Sequence, residues 1–514
     1  MRRPLLPFAA LLLASAVAAR GATLQADPPA SGSAGRPQSG AHRPSMMEFD
    51  IGRILNDRAH AEEVLRWVTA HDPPTDPIAE INIDAIRGLA LAGLGRREES
   101  RASVDRLLAR RSERPFPYIA AWFASLANND WDRLLAILEA GAARLPPAAR
   151  EEFNAQLMRD QLRQLIRTLG GDEHSPRNGR LLEALAALNW PGDHWPSARD
   201  EVRKALVDRY LGLGDRAAAA RFAPRIEAPM HLLDLLLGRR YDGLHPHADP
   251  LPALRRALER EDRATAAALA ARPGSVPVVH ERAQHLSSVG RSGEALAVLE
   301  PLLRDVRATV AADEDGMWAI LEAVNALLDL GRRDEAVALM ERLVALDLAL
   351  DPQLIGARID HVDVLRVAGR PAAALAYALR LRPEAELHAN AGGQRWVEAG
   401  IVCSLVDIGR RAEAAPYLAP LQDRDDSPMA LTMALLCLND LDAAAALLVR
   451  QLGSDDPGAA IQTLQEYEIA GAASPDPLAP RMDAVRRRPE VVAALARVGR
   501  ALRLPLSRSY WANF

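Results

Sequence analysis

Apolar residues recur at steps of three and four along most of the chain after about residue 50, and this spacing predicts amphipathic α-helices. The stretch 317–347 shows the pattern twice, with Gly331 between the two apolar stripes. Glycine suits that position because it adopts the left-handed conformation that ends a helix without a steric penalty. We therefore predict two helices joined by a short turn at Gly331. Their stripes are Trp318, Leu321, Val324, Leu327 and Leu328, followed by Ala336, Leu339, Met340, Leu343 and Val344.

The same arrangement of residues recurs seven times along the chain. A Gly or Asn is preceded four residues earlier by Leu or Tyr and followed five residues later by Ala or Ser. The instances are Leu91/Gly95/Ser100, Tyr210/Gly214/Ala219, Leu286/Gly290/Ala295, Leu327/Gly331/Ala336, Leu365/Gly369/Ala374, Leu405/Gly409/Ala414 and Leu435/Asn439/Ala444. In five of them an Arg follows the Gly, namely Arg96, Arg291, Arg332, Arg370 and Arg410. A recurring unit of this kind indicates an array of helical repeats.

This register resembles that of the tetratricopeptide repeat (TPR) family, which places the same residue types at the turn between its A and B helices. From Gly290 onward the turn positions are 41, 38, 40 and 30 residues apart, against roughly 34 in the family. The resemblance implies an all-α fold, a right-handed superhelical solenoid of roughly ten helix pairs over residues 46–488. We see no run of alternating β-branched residues, so no β-sheet is expected.

The N-terminus has the features of a secretory signal peptide. Arg2 and Arg3 precede an apolar core at 5–17, and Ala16-Val17-Ala18 is a typical cleavage site. We predict a signal peptide at 1–19 and export to the periplasm, or secretion. No Cys follows the apolar core, so a lipoprotein anchor is not expected, and no later segment is apolar enough to span a bilayer.

The two segments that flank the repeats differ from them. Residues 20–45 are rich in Pro, Gly, Ser and Ala, a composition that predicts a disordered linker. Residues 489–514 begin with an amphipathic helix suited to capping the last repeat and end in an extended aromatic tail. We expect the tail to fold back onto the solenoid; the alternative is that it docks onto a partner.

Composition narrows the classes of partner. The formal net charge is −5, and the acidic residues are mixed with the arginines throughout. Because no basic stripe is present, nucleic acid is not an expected partner. Lys204 is the only lysine, and we attribute this preference for Arg to codon usage rather than to phosphate binding.

Cys403 and Cys437 are the only cysteines. They fall late in the first helices of adjacent repeats, where an oxidising compartment would allow a disulfide. The alternative is a pair of buried thiols that act as small apolar residues. Cys403 lies six residues before its turn residue Gly409, whereas Cys437 lies two residues before Asn439. We favour the thiols because this difference is about one helical turn.

Catalytic and metal-binding motifs are absent from the sequence, so we predict a protein that is not an enzyme and has no cofactor. His245 and His247, near Asp249, are the best candidates for a metal site or a hydrolase, but no further ligand lies at useful spacing. The acidic run 313–315 fits the start of a helix better than a calcium loop.

The resemblance to TPR proteins also predicts where a partner binds. In that family the A helices line a concave groove, and side chains six and thirteen residues before the turn point into it. The predicted function is therefore a periplasmic scaffold that binds a peptide or protein; the alternatives are an adaptor that binds glycan during polysaccharide export and a hydrolase. The glycan alternative requires Trp318, Trp396 and Asp363 all to face solvent. The groove residues are His280, Gln284, Trp318, Asn325, Asp363, Arg366 and Trp396.

Overall fold

The computed structural model describes residues 23–24, 49–70, 77–157, 165, 175–190, 198–244, 249–423, 427–469 and 478–507. These residues form two compact units, an N-terminal unit that ends at Ile226 and a C-terminal unit that begins at Glu227. The predicted signal peptide lies outside the described residues, as does the predicted linker except for Thr23 and Leu24.

The described elements of the N-terminal unit are almost all helical. Its two short strands are β1 (Thr23–Leu24) and β2 (Phe49–Asp50). Its helices are α1 (Ile51–Asn56), α2 (Arg58–Ala70), α3 (Pro77–Gly93), α4 (Arg97–Ala109), α5 (Pro115–Ala127), α6 (Trp131–Arg144), α7 (Pro147–Asn154), α8 (Pro176–Leu188), α9 (Ala198–Gly212), α10 (Arg216–Phe222) and a 3-10 turn at Ala223–Arg225.

The C-terminal unit contains the regular part of the repeat array. Its strands are β3 (Glu466–Ile469) and β4 (Arg503–Ser507). Its helices are α11 (Pro229–Leu237), α12 (Pro250–Ala271), α13 (Val276–Ser288), α14 (Ser292–Leu303), α15 (Val306–Ala312), α16 (Gly316–Asp329), α17 (Arg333–Val344), α18 (Leu354–Val367), α19 (Pro371–His388), α20 (Ala391–Asp407), α21 (Ala415–Gln422), α22 (Pro428–Cys437), α23 (Leu441–Leu452), α24 (Gly458–Thr463), α25 (Ala479–Arg486) and α26 (Pro489–Val498), with 3-10 turns at Arg239–Tyr241 and Arg411–Ala414.

The predicted turns between paired helices are confirmed. At Gly331 the backbone amide donates to the carbonyl of Leu328, and the amide of Arg332 donates to that of Leu327. These two bonds satisfy carbonyls at the end of α16 and require the left-handed conformation between them. All seven predicted turn residues have a positive φ: Gly95 70°, Gly214 75°, Gly290 74°, Gly331 72°, Gly369 79°, Gly409 79° and Asn439 52°.

The residues that flank each turn have defined roles. The small residue five positions after the turn is fully or almost fully buried in every instance, for example Ala295 and Ala336 at 0% exposure. Close approach of the two helices explains why it must be small. The Arg after the Gly forms a two-bond ion pair with a Glu three residues later in four repeats. These four arginines are therefore paired within their own turns.

The expectation that the protein contains no sheet was wrong. β1 pairs antiparallel with β2, and β3 pairs parallel with β4, with Glu466 opposite Arg503. Leu504 and Leu506 of β4 are fully buried. The paired segments are short and lie far apart in sequence, so the local pattern of residues does not reveal them. The return of the C-terminal tail onto the helical stack is observed at Arg503–Ser507.

The last elements of the C-terminal unit contact its first ones. Gly238 and Gly499 form an antiparallel β-bridge, and the amide of Arg500 donates to the carbonyl of Leu237 at 2.9 Å. The Arg500 guanidinium also donates to Asp242 at 2.6 Å. We call this contact the seam. It joins residues more than 250 positions apart.

Cys403 and Cys437 form a disulfide, with their Cα atoms 5.1 Å apart. The preference for two separate buried thiols was therefore wrong. Met433 is the residue of α22 that corresponds to Cys403 of α20, and the Cys403 Sγ lies 3.9 Å from the Met433 carbonyl oxygen. Cys403 thus points between Met433 and Cys437, one turn apart on α22. A side chain on one helix packs between two successive turns of its neighbour. Cys403 can therefore bond to Cys437, although the two residues stand at different distances from the turns of their own repeats.

Candidate partner-binding surface

The first helices of successive repeats, the A helices, are α13, α16, α18, α20 and α22 in the C-terminal unit. Almost all of their surface is covered by neighbouring elements. Apart from Ala391 at the start of α20, the residues left exposed are Asn325 of α16, Asp360 and Asp363 of α18, and Asp407 of α20. We call these four residues the open A-helix face. Its titratable members are all carboxyl groups, so the surface attracts cations when they are ionised. Desolvation, together with the Asp363 charge, raises the pKa of Asp360 to about 7.

Arg366 holds two of these carboxylates together. Its Nε and Nη2 donate to Asp363 Oδ1 at 3.0 and 2.8 Å, and its Nη1 lies 3.6 Å from Asp407 Oδ2 on the next A helix. Arg366 is only 7% exposed. The guanidinium of Arg366, which was predicted to line the groove, lies beneath the carboxylates and links α18 to α20.

His280 is also unavailable to a partner. It is 0% exposed on α13, with its Nδ1 3.8 Å from Asp315 Oδ1. α13 contacts β4, and a Cβ added to Gly290 after α13 would lie 2.6 Å from Ile469 Cγ2 of β3. The C-terminal strands thus pack over the first A helix and its turn. Gln284, at the corresponding groove position of α13, is half-buried.

The two groove tryptophans are half-buried. Trp318 of α16 and Trp396 of α20 both pack against the apolar core of the unit. Each indole therefore contributes to packing and leaves only part of its surface to solvent. The glycan alternative required both rings and Asp363 to face solvent, and Asp363 alone is exposed.

A buried polar cluster joins α12 to α13, and the sequence analysis did not anticipate it. His285 Nδ1 lies 2.9 Å from Glu261 Oε2, and its Nε2 lies 3.3 Å from Asp262 Oδ1. Arg282 Nη1 donates to the same Asp262 oxygen at 2.7 Å. Burial, together with the Glu261 charge, raises the pKa of the nearby Glu281 carboxyl to about 8. The only sequence signal is the unusual density of charged residues at 280–285 of an A helix.

The residues proposed for a hydrolase do not form a site in the described part of the chain. Asp249 caps the start of α12, where its Oδ1 accepts from the Leu251 amide at 3.2 Å. His245 and His247 lie outside the described residues. Among the residues that are described, no group of three His, Cys, Asp or Glu side chains could hold a metal ion.

A cavity of about 310 Å³ lies at the seam. Its walls come from both sides of that contact, with Asp234 and Arg239 from the first elements and Asp455, Asp456 and Arg497 from the last. Charges of both signs therefore face each other across it.

In the described ranges, no helix is long and apolar enough to cross a bilayer.

Comparisons with known proteins add little. No protein-family model matches the chain, and no curated protein matches it. Among solved structures, it is similar to the TPR domain of P58(IPK), at 13% identity over 79% of this chain and 98% of that one, with a TM-score of 0.18. It is also similar to a structure of Naa15/Naa10 bound to HypK, at 12% identity over 85% of this chain and 79% of that one, with a TM-score of 0.22. The all-α fold rests on the repeated helix pairs themselves.

Proposed function

We propose that the C-terminal unit is a non-enzymatic scaffold that holds a cationic segment of a protein partner on the open A-helix face. The observation that carries the proposal is the character of the side chains that are exposed on five consecutive A helices, apart from Ala391 at the start of α20. They are one amide and three carboxylates, and no cationic side chain among them is exposed. Lys or Arg side chains of a partner complement such a surface.

Binding would combine weak charge contacts with limited contact to aromatic side chains. Exposed ion pairs contribute little individually, so most of the charge effect is expected in the rate of association. Trp318 lies on α16 with Asn325, and Trp396 lies on α20 with Asp407. The exposed part of each indole offers flat apolar surface to the aliphatic stems of Lys or Arg. The alternative of glycan binding has less support, because neither indole is fully open.

We propose further that the protein is exported. The apolar segment 5–17 and its cleavage site support this location. The Cys403–Cys437 disulfide adds support, since disulfides persist in oxidising compartments and are rare in the cytosol. Fractionation of cells that express the chain tests it, together with labelling of free thiols. Export predicts a periplasmic or extracellular protein whose thiols cannot be labelled under denaturing, non-reducing conditions, and a cytosolic protein with two free thiols would contradict it.

The binding proposal is tested with a synthetic 12-residue peptide of Arg, Lys, Gly and Ser, labelled for fluorescence anisotropy. The matched control peptide replaces each basic residue with Glu. We expect saturable binding of the basic peptide only, and weaker binding as salt concentration rises. Asp360→Asn and Asn325→Lys together should weaken binding roughly two- to tenfold, because one exposed carboxyl group is removed and one positive charge is added.

A control variant separates this surface from net charge. Glu300→Gln with Glu341→Gln removes two exposed carboxylates from the second helices α14 and α17. This variant should bind the basic peptide as the parent protein does. Equal weakening in both variants would show that attraction is non-specific. Failure of the basic peptide to bind, with retention of an oligosaccharide instead, would favour the glycan adaptor.

A further inference from the structure

The second helix of one repeat, α19, has an apolar outer face. Leu387 is 80% exposed and Leu379 is 42% exposed, and Pro383 lies exposed between them within the helix. With 3.6 residues per turn, these three side chains fall within an arc of about 80° on the helix surface. Ala372 and Ala376, which are also exposed, extend the same arc toward the start of the helix. We call these five residues the outer α19 stripe.

Neighbouring second helices carry a charge where α19 carries Leu379. This residue lies ten positions after its turn Gly, and the corresponding residues of α14 and α17 are Glu300 and Glu341. Both glutamates are exposed. Packing within the repeat array therefore does not require an apolar side chain at this position. A contiguous apolar stripe flanked by charged residues is typical of a surface that contacts another protein.

The stripe and its flanking charges are self-complementary about Pro383. Leu379 and Leu387 lie four residues before and four residues after it. Arg380 and Glu386 lie three residues before and three residues after it. When two copies of a helix pair antiparallel about a two-fold axis, each residue before the axis faces the residue equally far after it in the partner. An axis at Pro383 thus places Leu against Leu and Arg against Glu, each of them twice.

The two flanking charges are available for such contacts, since both side chains are exposed. Among the described residues Arg380 forms no ion pair, and its guanidinium lies 5.8 Å from the centre of the Tyr377 ring. Glu386 lies 3.8 Å from Arg382 Nε, but that nitrogen donates to Glu398 at 2.9 Å. A second copy of the chain therefore supplies a closer partner to each of the two flanking charges.

We propose that the protein forms a symmetric homodimer through α19, with the two helices antiparallel and the two-fold axis at Pro383. Leu379 packs against the partner's Leu387, and Arg380 pairs with the partner's Glu386. One pair of helices is smaller than the standard interface of roughly 1,600 Å², so the dimer is weak and forms at micromolar concentrations. Because α19 is a second helix, the dimer does not depend on the open A-helix face.

The test is sedimentation velocity of the purified full chain over roughly 1–300 μM, a range that brackets a weak dimer. We expect a monomer–dimer equilibrium. Leu379→Glu should raise the dissociation constant roughly tenfold or more, because it places a carboxylate against the partner's Leu387. Glu occupies the same position in two neighbouring helices, so the variant should fold, which circular dichroism checks. Leu213→Glu is the matched control, since Leu213 is 55% exposed in the N-terminal unit, and it should dimerise as the parent does.

Charge reversal tests the arrangement about Pro383. Arg380→Glu and Glu386→Arg should each weaken their own homodimers roughly two- to tenfold, because like charges then meet at both flanks. An equimolar mixture of the two variants should recover the parent affinity, because both flanking pairs are again opposite in charge.

Three outcomes would overturn the proposal. A parent that remains monomeric over the whole concentration range shows that the stripe does not join two copies of the chain. A dimer that is unchanged by Leu379→Glu shows that the copies meet at another surface. Charge-reversed variants that do not regain affinity on mixing show that the helices do not pair about Pro383.

Discussion

The backbone amide of Arg332 donates a hydrogen bond of 2.8 Å to the carbonyl oxygen of Leu327, across a Gly331 with φ of 72°. The equivalent bond occurs at each of the other predicted turns, for example from Arg291 to Leu286 and from Arg410 to Leu405, both at 2.8 Å. This backbone contact explains why a residue that tolerates a positive φ stands at each turn. It does not depend on the Arg, because Asp215 and Asp440 donate the same bond at two of the turns.

Replacing Gly331 with Ala should lower the free energy of unfolding by about 1–2 kcal/mol, because an L-residue is strained in the left-handed conformation. Denaturant unfolding measures the change. Gly274→Ala is the control, since Gly274 has no positive φ and an added Cβ would meet nothing within 4 Å. It should leave stability unchanged or slightly raised. Equal losses for the two variants would argue against backbone strain as the cause.

Removal of the disulfide should destabilise the C-terminal unit. Its two cysteines are separated by 34 residues, and closure of a loop of this size stabilises a fold by about 4 kcal/mol in the chain-entropy model. Cys403→Ala with Cys437→Ala should unfold at lower denaturant concentration than the parent by a corresponding amount. Reductant should shift the parent toward the variant and leave the variant unaffected. If reductant did not change the denaturant unfolding of the parent protein, the disulfide would be contradicted.

Glu281 should make stability depend on pH. Its folded pKa of about 8 is above its ordinary value of 4.5, so the folded state binds a proton more tightly than the unfolded state. The contribution of this group is complete below pH 4.5 and is lost as the pH rises to about 8.

Glu281→Gln removes this dependence and should melt at a higher temperature than the parent at pH 8, with the difference shrinking toward pH 4.5. Thermal melts of the two proteins across that range provide the measurement. Because Glu261, Asp315 and Arg272 also influence Glu281, only the difference between the proteins is informative. A difference that stays constant with pH would contradict the assignment.

The seam should loosen when Gly499 is enlarged. A Cβ at this position would lie 3.0 Å from Ile461 Cγ2, so Gly499→Ala should displace the bridge to Gly238. We expect faster amide hydrogen exchange in β4 and α11 but not in α16–α19, which lie away from the seam. Arg500→Ala, which removes the ion pair with Asp242, should have the same regional effect. If amide exchange in β4 and α11 were unchanged in both variants, the seam would not stabilise these elements.

Four residues of the candidate surface show what the sequence register predicts and what it does not. Asn325 and Asp363 were placed on an open face from their position six residues before a turn, and both are exposed. His280 and Arg366 were placed there as well, and both are buried. Register specifies the direction of a side chain relative to its own helix, but not whether a distant segment covers it. In the case of His280 the side chain lies against Asp315 at the start of the next repeat, with its Nδ1 3.8 Å from Asp315 Oδ1.

The sequence by itself determined the repeat, the positions of its turns and the helical pairs, because these depend on hydrogen bonds and backbone conformations within about six residues. Only the tertiary structure decided the Cys403–Cys437 bond, the β3–β4 pairing, the seam at Gly238 and Gly499, and the burial of Arg366 beneath two carboxylates. Each of these joins segments that are remote in sequence. Their contacts depend on how neighbouring helices are offset and on where the chain returns, and neither leaves a periodic trace in the order of residues.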